Sequence, residues 1–140
     1  ILLQVMENNR DDLVVIMAGY ADRMDKFFSA NPGFRSRIAH HIDFPDYSDA
    51  ELGQIAETML EAQNYAFDAG GRTAMAEYIA LRRKQPHFAN ARSVRNAIER
   101  ARLRQASRLF ADRERAWNEA ELATIVPSDL LASRVFRQSN

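Results

Sequence analysis

The run LVVIMAG at residues 13–19 constrains the fold of this 140-residue chain more than any other feature. It is nearly continuously apolar and rich in β-branched side chains, which is typical of a strand buried on both faces in a parallel sheet. A second strand is predicted over residues 38–44, and Pro45 closes it. Because helices cover both faces of such a sheet, these strands predict an α/β fold for the first third of the chain.

Amphipathic helices are predicted before, between and after these strands. Apolar residues at positions 1, 2, 5 and 6 indicate that the sequence opens inside a helix, and we interpret its first residue as a truncation point. Residues 22–30 predict a short helix, which a turn at 31–33 stops. Beyond Pro45 the apolar spacing predicts helices over about 48–63, 71–84, 91–111 and 117–122, and a further start at Pro127.

A boundary is predicted at Pro45. Ser48 and Glu51 follow it in a capping-box pattern, so the first long helix is expected to begin there. Residues 1–45 are therefore predicted to be part of an α/β subdomain, and residues 46–140 a helical subdomain. Two strands and two helices cannot close a sheet core, so the first part is expected to pack on chain outside this sequence.

The charge and residue content exclude several classes of function. Nineteen basic residues balance nineteen acidic ones, so we expect neither nucleic acid nor an anionic membrane as a partner. The chain has no cysteine, which excludes a disulfide framework and a thiolate metal site. Its longest apolar run is far too short to span a bilayer.

Two arginines follow the turn at residues 31–33. Arg35 and Arg37 lie in the segment NPGFRSRI, just before the second predicted strand. A planar guanidinium in this place is able to reach the γ-phosphate of a nucleotide held by a neighbouring subunit and to stabilise the charge of phosphoryl transfer. Taken alone, two solvated surface arginines are the simpler interpretation.

A second arginine site is predicted where the helix over 91–111 begins. Arg92 lies in its first turn, and a helix N-terminus attracts phosphate through its free N–H groups and dipole. The alternative is that Arg92 belongs to the solvated faces of this helix, with Arg95, Arg100, Arg102, Arg104 and Arg108.

Tyr20 follows the strand predicted over residues 13–19, at the edge where open α/β sheets bind ligands. A tight turn without a ligand explains the same residues. His40 and His41 would point to opposite faces of a strand and so do not form a metal site together. The sequence has no Gly-rich phosphate loop, no acidic pair after a strand and no nucleophile elbow, so it contains no complete catalytic centre.

Four segments, taken in order, carry a family resemblance. VVIMAGY at 14–20, NPGFRSRI at 31–38, FPDYS at 44–48 and NARSVRN at 90–96 closely resemble the CbbX family, the red-type Rubisco activases, which are AAA+ ATPases. The first two segments are shared with wider relatives, among them sporulation and secretion ATPases. The two histidines before FPDYS, and the segment QPHFANAR at 85–92, are what indicates an activase.

The resemblance implies a fold, a site and partners. The fold would be the C-terminal part of an AAA+ parallel-sheet nucleotide-binding domain followed by an all-helical lid. Arg37 would be the arginine finger acting on a neighbouring subunit, with Arg35 as the alternative, and Arg92 would be the sensor-2 arginine. Tyr20 falls at the sensor-1 position, where other AAA+ proteins commonly carry Asn or Thr.

The family works as a ring, usually a hexamer, that uses ATP and Mg²⁺ to pull on the Rubisco large subunit and release inhibitory sugar phosphates. Ribulose-1,5-bisphosphate is its effector, and the compartment would be the bacterial cytoplasm or the plastid stroma. The phosphate loop, the magnesium ligands and the pore loop would lie outside this sequence, so the chain alone is not expected to hydrolyse ATP. Two alternatives stay open, a related AAA+ ATPase with another client and a helical adaptor whose basic residues 91–108 bind an acidic partner.

Overall fold

The computed structural model describes residues 2–112 and 114–137 and divides into two compact units, Ile1–Phe44 and Pro45–Asn140. The first unit contains three helices, α1 (Leu2–Asn8), α2 (Ala21–Ala30) and α3 (Pro32–Arg35). Helices α1 and α2 follow the apolar spacing of the sequence and confirm the helices predicted there.

Aromatic side chains hold the first unit together. Phe28 and Phe34 are buried, and the ring of Phe27 lies 5.5 Å from the first and 5.0 Å from the second. His41 completes the group with an edge contact to Phe28 at 5.4 Å. This packing fixes α3 against α2, and His41 takes part in it through its ring contact with Phe28.

The prediction of strands over residues 13–19 and 38–44 is wrong for the structure, in which both segments lack regular secondary structure. Val14 is 85% exposed, Ile16 88% and Phe44 90%. A strand exists only through hydrogen bonds to a neighbouring strand, and no described residue pairs with either segment. Most apolar side chains of the first segment, which was predicted to be buried, are therefore exposed, as is Phe44 of the second segment.

The turn predicted at residues 31–33 ends α2 at Ala30 as expected, but its last two residues begin the short helix α3. Pro32 is the first residue of α3, a position that suits proline because its ring fixes φ and no N–H is needed there. The backbone N–H of Arg37 donates to the carbonyl of Phe34 at 3.0 Å, so the chain stays tightly wound one residue beyond the helix cap at Ser36. Arg35 and Arg37 thus sit at a helix end and not in an open turn.

The second unit contains most of the described helices. Its elements are α4 (Asp49–Glu61), β1 (Ala66–Phe67), α5 (Ala69–Arg83), α6 (Asn90–Ala111), α7 (Glu119–Leu122), β2 (Thr124–Ile125), α8 (Pro127–Leu131) and α9 (Arg134–Arg137). Each helix predicted beyond Pro45 is present, with ends shifted by one or two residues. The two short strands were not predicted.

The capping box at the start of α4 is confirmed. The N–H of Glu51 donates to the Ser48 hydroxyl at 3.2 Å, and the Glu51 carboxylate accepts from the Ser48 N–H at 2.7 Å. These hydrogen bonds, the one to the backbone first, lower the pKa of Glu51 below its usual value.

One apolar core joins the long helices of the second unit. The fully buried large side chains come from α4, α5, α6, β2 and α8, and they include Leu52, Leu60, Met75, Ile79, Val94, Ile98, Ile125 and Leu130. Their three- and four-residue spacing within each helix gives the continuous stripe that such packing requires.

Strands β1 and β2 pair in parallel, with Ala66 opposite Thr124 and Phe67 opposite Ile125. The buried side chain of Gln105 on α6 supports this small sheet, because its amide donates to the carbonyls of Leu122 at 2.9 Å and Thr124 at 3.0 Å. A buried amide that satisfies two carbonyls removes the cost of leaving them without hydrogen bonds.

Helix α8 is attached to α6 through Asp129, which is 2% exposed. Arg108 donates to both carboxylate oxygens of Asp129 at 3.0 Å, and these hydrogen bonds raise the pKa of Arg108. The carboxylate also accepts from the N–H of Val126 at 3.1 Å, and Arg104 donates to the Asp129 carbonyl at 3.0 Å. The side-chain carboxylate and the backbone carbonyl of Asp129 are therefore both held by arginines of α6.

Candidate functional site

Arg37 lies two residues beyond α3, and its guanidinium is held within the first unit. One of its terminal nitrogens forms an ion pair with Glu7 of α1, and the other donates to the carbonyl of Gly33 at 2.8 Å. The side chain is still 36% exposed, and it lines an open cleft of about 650 Å³ with Met6, Glu7, Arg10, Leu13, Val15, Ser36, Ile38, Ala39 and His40. The guanidinium is therefore oriented and open to solvent at once, which suits recognition of an anion.

Arg35 ends α3 and is exposed. It pairs with no carboxylate in the part of the chain that the structure describes. Arg35 and Arg37 thus differ in environment, since one is a free surface cation and the other is held by two partners. A guanidinium that is already fixed loses less side-chain entropy when it binds an anion, so Arg37 is the better oriented of the two arginines.

Tyr20 is the N-cap residue of α2. Its backbone carbonyl accepts from the N–H groups of Arg23 and Met24 at 3.0 and 2.9 Å, and its side chain makes no capping hydrogen bond. The ring is 76% exposed, and the guanidinium of Arg23 lies 5.8 Å from its centre. No described contact joins Tyr20 to Arg35 or Arg37, so the structure does not gather these three residues into one site.

Arg92 belongs to the second unit, in the first turn of α6. Its side chain is exposed and makes no ion pair with any described residue, while its N–H donates to the Ala89 carbonyl at 3.0 Å. No side chain caps the start of this 22-residue helix by accepting from its first N–H groups. An uncapped helix start beside a cation that has no partner carries the charge and the donors that an anion needs.

The loop before α6 is built by two arginines at the end of α5. Arg82 donates to the carbonyls of Gln85, Pro86 and His87 at 3.5, 2.9 and 3.0 Å. The guanidinium of Arg83 lies 5.2 Å from the ring centre of Phe88. The start of α6, and Arg92 with it, is therefore rigidly connected to the end of α5.

Two contacts near the candidate residues could not be predicted from the sequence, because they join positions that are far apart in the chain. Glu7 is separated from Arg37 by thirty positions, and Asp46 lies 44 positions before its partner Asn90. No group of three His, Cys, Asp or Glu residues within the described ranges could hold a metal ion. Nor does any described helix have the length and apolar character needed to cross a membrane.

Comparison with known proteins defines the class first. A family model described as an AAA lid domain matches residues 48–138, so the chain belongs to the AAA lid family. This match confirms the predicted helical lid, within which the structure adds the parallel pair β1 and β2.

The particular relatives follow from sequence identity. The chain is 65% identical to "Protein CbbX" of Cereibacter sphaeroides over 137 residues, which are 98% of the chain and 44% of that protein. It is 57% identical to "Protein CfxQ homolog" of Pyropia yezoensis over 140 residues, 100% of the chain and 47% of that protein. It is 53% identical to "Ribulose bisphosphate carboxylase/oxygenase activase, chloroplastic" of Cyanidioschyzon merolae over 137 residues, 98% of the chain and 47% of that protein. The resemblance drawn from the sequence is confirmed, and the chain spans less than half the length of these relatives.

Proposed function

We propose that this chain supplies the arginine finger and the lid of an AAA+ ATPase that remodels inhibited Rubisco and releases bound sugar phosphates. The observation that carries the proposal is the lid match over residues 48–138 together with 53% identity to a protein named as a Rubisco activase. The similar proteins come from bacteria and from a chloroplast, which supports a bacterial cytoplasm or a plastid stroma as the compartment.

In this proposal Arg37 acts on ATP that is bound to a neighbouring subunit of a ring, most simply a hexamer. Its guanidinium is exposed at the end of α3 and held by Glu7 and Gly33, so it is presented with little freedom left to lose. A positive charge placed on the transferring phosphoryl group is worth about 10³–10⁵ in rate. Arg35, which lacks such partners, is the alternative finger.

Arg92 would bind the phosphates of nucleotide held by its own subunit. The structure fits an anion there, because the side chain has no carboxylate partner in the described ranges and lies in the first turn of α6. Tyr20 at the start of α2 would stand at the sensor-1 position. Mg²⁺ bound with ATP would neutralise phosphate charge, and we propose that its ligands lie outside this chain.

The test is ATP hydrolysis by the full-length protein, with and without ribulose-1,5-bisphosphate and inhibited red-type Rubisco. We expect stimulation by both, since the first is the proposed effector and the second the proposed client. Hydrolysis that responds to neither would agree with an ATPase but would contradict Rubisco as its client.

Arg37→Ala tests the finger. We expect nucleotide binding to stay within about twofold of the wild type and hydrolysis by the ring to fall by about 10³-fold or more. Arg72→Ala is the matched control, because Arg72 is an exposed cation paired with Glu57 and has no proposed role at the nucleotide. Undiminished hydrolysis by the Arg37→Ala ring would rule out this role.

Arg92→Ala tests the lid arginine. Here the expected loss is in ATP affinity, and Arg95→Ala, an exposed arginine one turn further along the same helix, should bind ATP normally. Equal affinities for the two variants would contradict the assignment of Arg92.

A further inference from the structure

We propose that Asn90 and Arg83 are positioning residues that couple the nucleotide-binding end of α6 to residues 46–49, the segment by which the chain enters the second unit. The inference rests on the proposed function, because it takes Arg92 as the residue that contacts ATP. It adds the route by which that contact reaches the boundary between the two units.

Three hydrogen bonds hold residues 46–49 to α5 and α6, and together they form what we call the clasp. The side-chain amide of Asn90 donates to the carboxylate of Asp46 at 2.6 Å. Arg83 donates from one terminal nitrogen to the Tyr47 carbonyl at 2.5 Å and from Nε to the Asp49 carboxylate at 2.6 Å. Within four consecutive residues the chain is thus attached once to α6 and twice to α5.

Asn90 adopts an unusual backbone conformation at this point. Its φ is +45°, in the left-handed region that asparagine tolerates better than other residues with a side chain. Its side-chain oxygen is buried without a hydrogen-bond partner. Both features cost stability at a position where a capped helix start would not.

The clasp has little internal freedom. Arg82 fixes the three loop carbonyls before Phe88, and Arg83 lies against the Phe88 ring. At the start of α6 the N–H of Ala89 donates to the Ser93 hydroxyl at 2.9 Å. The end of α5, the loop and the start of α6 therefore move together.

Arg92 is two residues beyond Asn90, so a phosphate that displaces Arg92 displaces the clasp as well. The displaced clasp moves Asp46 and Tyr47, which follow Pro45, the first residue of the second unit. Nucleotide binding and the path of the chain between the units are thereby parts of one equilibrium, which is what coupling requires.

The experiment reverses the Asn90–Asp46 pair in the full-length protein. Asn90→Asp places two carboxylates together and should break the clasp, whereas Asn90→Asp combined with Asp46→Asn restores an amide–carboxylate pair with the roles exchanged. Asn96→Asp is the matched control, because Asn96 is exposed on the same helix and makes no side-chain hydrogen bond within the described residues.

Two readouts are measured for each variant. The first is the amide hydrogen exchange of residues 46–49 with and without a non-hydrolysable ATP analogue. The second is the number of ATP molecules hydrolysed for each inhibited Rubisco site reactivated. We expect Asn90→Asp to bind ATP within about twofold of the wild type, to lose the nucleotide-dependent change in exchange and to consume about fivefold more ATP per site.

The double variant should recover both readouts, and Asn96→Asp should behave as the wild type. A change that the reversal does not rescue, or an Asn90→Asp variant that keeps the exchange response, overturns the clasp. In that case the loss of hydrolysis in Arg37→Ala still stands for the proposed function. A full-length protein that binds no ATP overturns both, and one that binds ATP but ignores Rubisco leaves the exchange readout to decide.

Discussion

The carboxylate of Asp129 accepts hydrogen bonds from a side chain on α6 and from the backbone before α8. Removing such a group costs more than the strength of any one of its hydrogen bonds, because Asp129 is itself buried and its partners are only partly exposed. If the Asp129 carboxylate were removed, Arg108 would keep its charge without this partner, and the N–H of Val126 would lose its acceptor. Single buried polar residues of this kind hold the outer elements of the second unit in place.

Asp129→Asn should therefore lower the free energy of unfolding by about 2–3 kcal/mol, since one acceptor oxygen becomes a donor facing Arg108 or Val126. Urea unfolding followed by circular dichroism measures the change. Glu57→Gln, which breaks the exposed pair with Arg72, is the control and should cost less than about 1 kcal/mol. Equal losses would mean that burial of Asp129 does not matter.

The Ser48–Glu51 capping box makes stability depend on pH. Because the pKa of Glu51 is lowered in the folded chain, its stabilisation is complete above its usual value of 4.5 and is lost as the pH falls through the lowered value. Ser48→Ala should raise the pKa of Glu51 toward 4.5, as measured by NMR titration of its carboxyl group. Ser107→Ala, in the last part of α6, should leave that pKa where it is.

At the scale of elements, the sequence predicted what local periodicity and caps determine. Helices α4, α5 and α6 each carry a long apolar stripe, and Ser48 marks a start that the structure confirms. Strands of two residues have no period to detect, so β1 and β2 could be found only through their pairing and through Gln105. The run at 13–19 has the composition of a buried strand, but composition does not provide the neighbouring strand that it needs.

Substitutions at two glycines in these elements are predicted to change stability in opposite directions. A side chain at Gly71 on α5 would meet the backbone carbonyl of Ile125 at 2.6 Å, whereas one at Gly53 on α4 would meet nothing within 4 Å. Gly71→Ala should destabilise the protein by about 1–3 kcal/mol, because α5 and β2 must separate. Gly53→Ala should stabilise it by about 0.5–1 kcal/mol through helix propensity alone.

Thermal unfolding of the two variants side by side checks this pair of predictions. A shift of the same sign for both would contradict the close approach of α5 to β2.

The candidate site residues were predicted from motifs in the sequence, but their contacts were not. The contacts of Arg37 with Glu7 and of Asn90 with Asp46 connect distant positions, and only the folded structure reveals them.

At the scale of the whole molecule, the two units differ in how much apolar surface they cover. The second has a continuous buried core, and the first leaves Val14, Ile16, Ile42 and Phe44 largely exposed. Exposed apolar runs of this kind are normally covered by other chain. The proposed AAA+ sheet, with strands beyond this sequence, would provide that cover.

Amide hydrogen exchange tests whether other strands cover these exposed segments. In the 140-residue chain, residues 13–19 and 39–44 should exchange almost without protection, because their N–H groups have no strand partner among the described residues. In the full-length protein the same amides should slow by about 100-fold or more, while those of α4 serve as the control and stay protected in both. Fast exchange of both segments in the full-length protein would contradict a sheet there.

Helix α6 extends over 22 residues, or roughly 33 Å, and Gln105 and Asp129 bind it to the short sheet and to α8 near its far end. These attachments, and the buried side chains between them and Asn90, make α6 one rigid body with the elements that pack on it, and Asn90 lies at its near end. A rotation of about 5° at that end sweeps the opposite end through about 3 Å, given a length of roughly 33 Å. In the proposed function, a small rotation produced at Arg92 by a bound phosphate would therefore displace the distant end of α6 by an amount of that size.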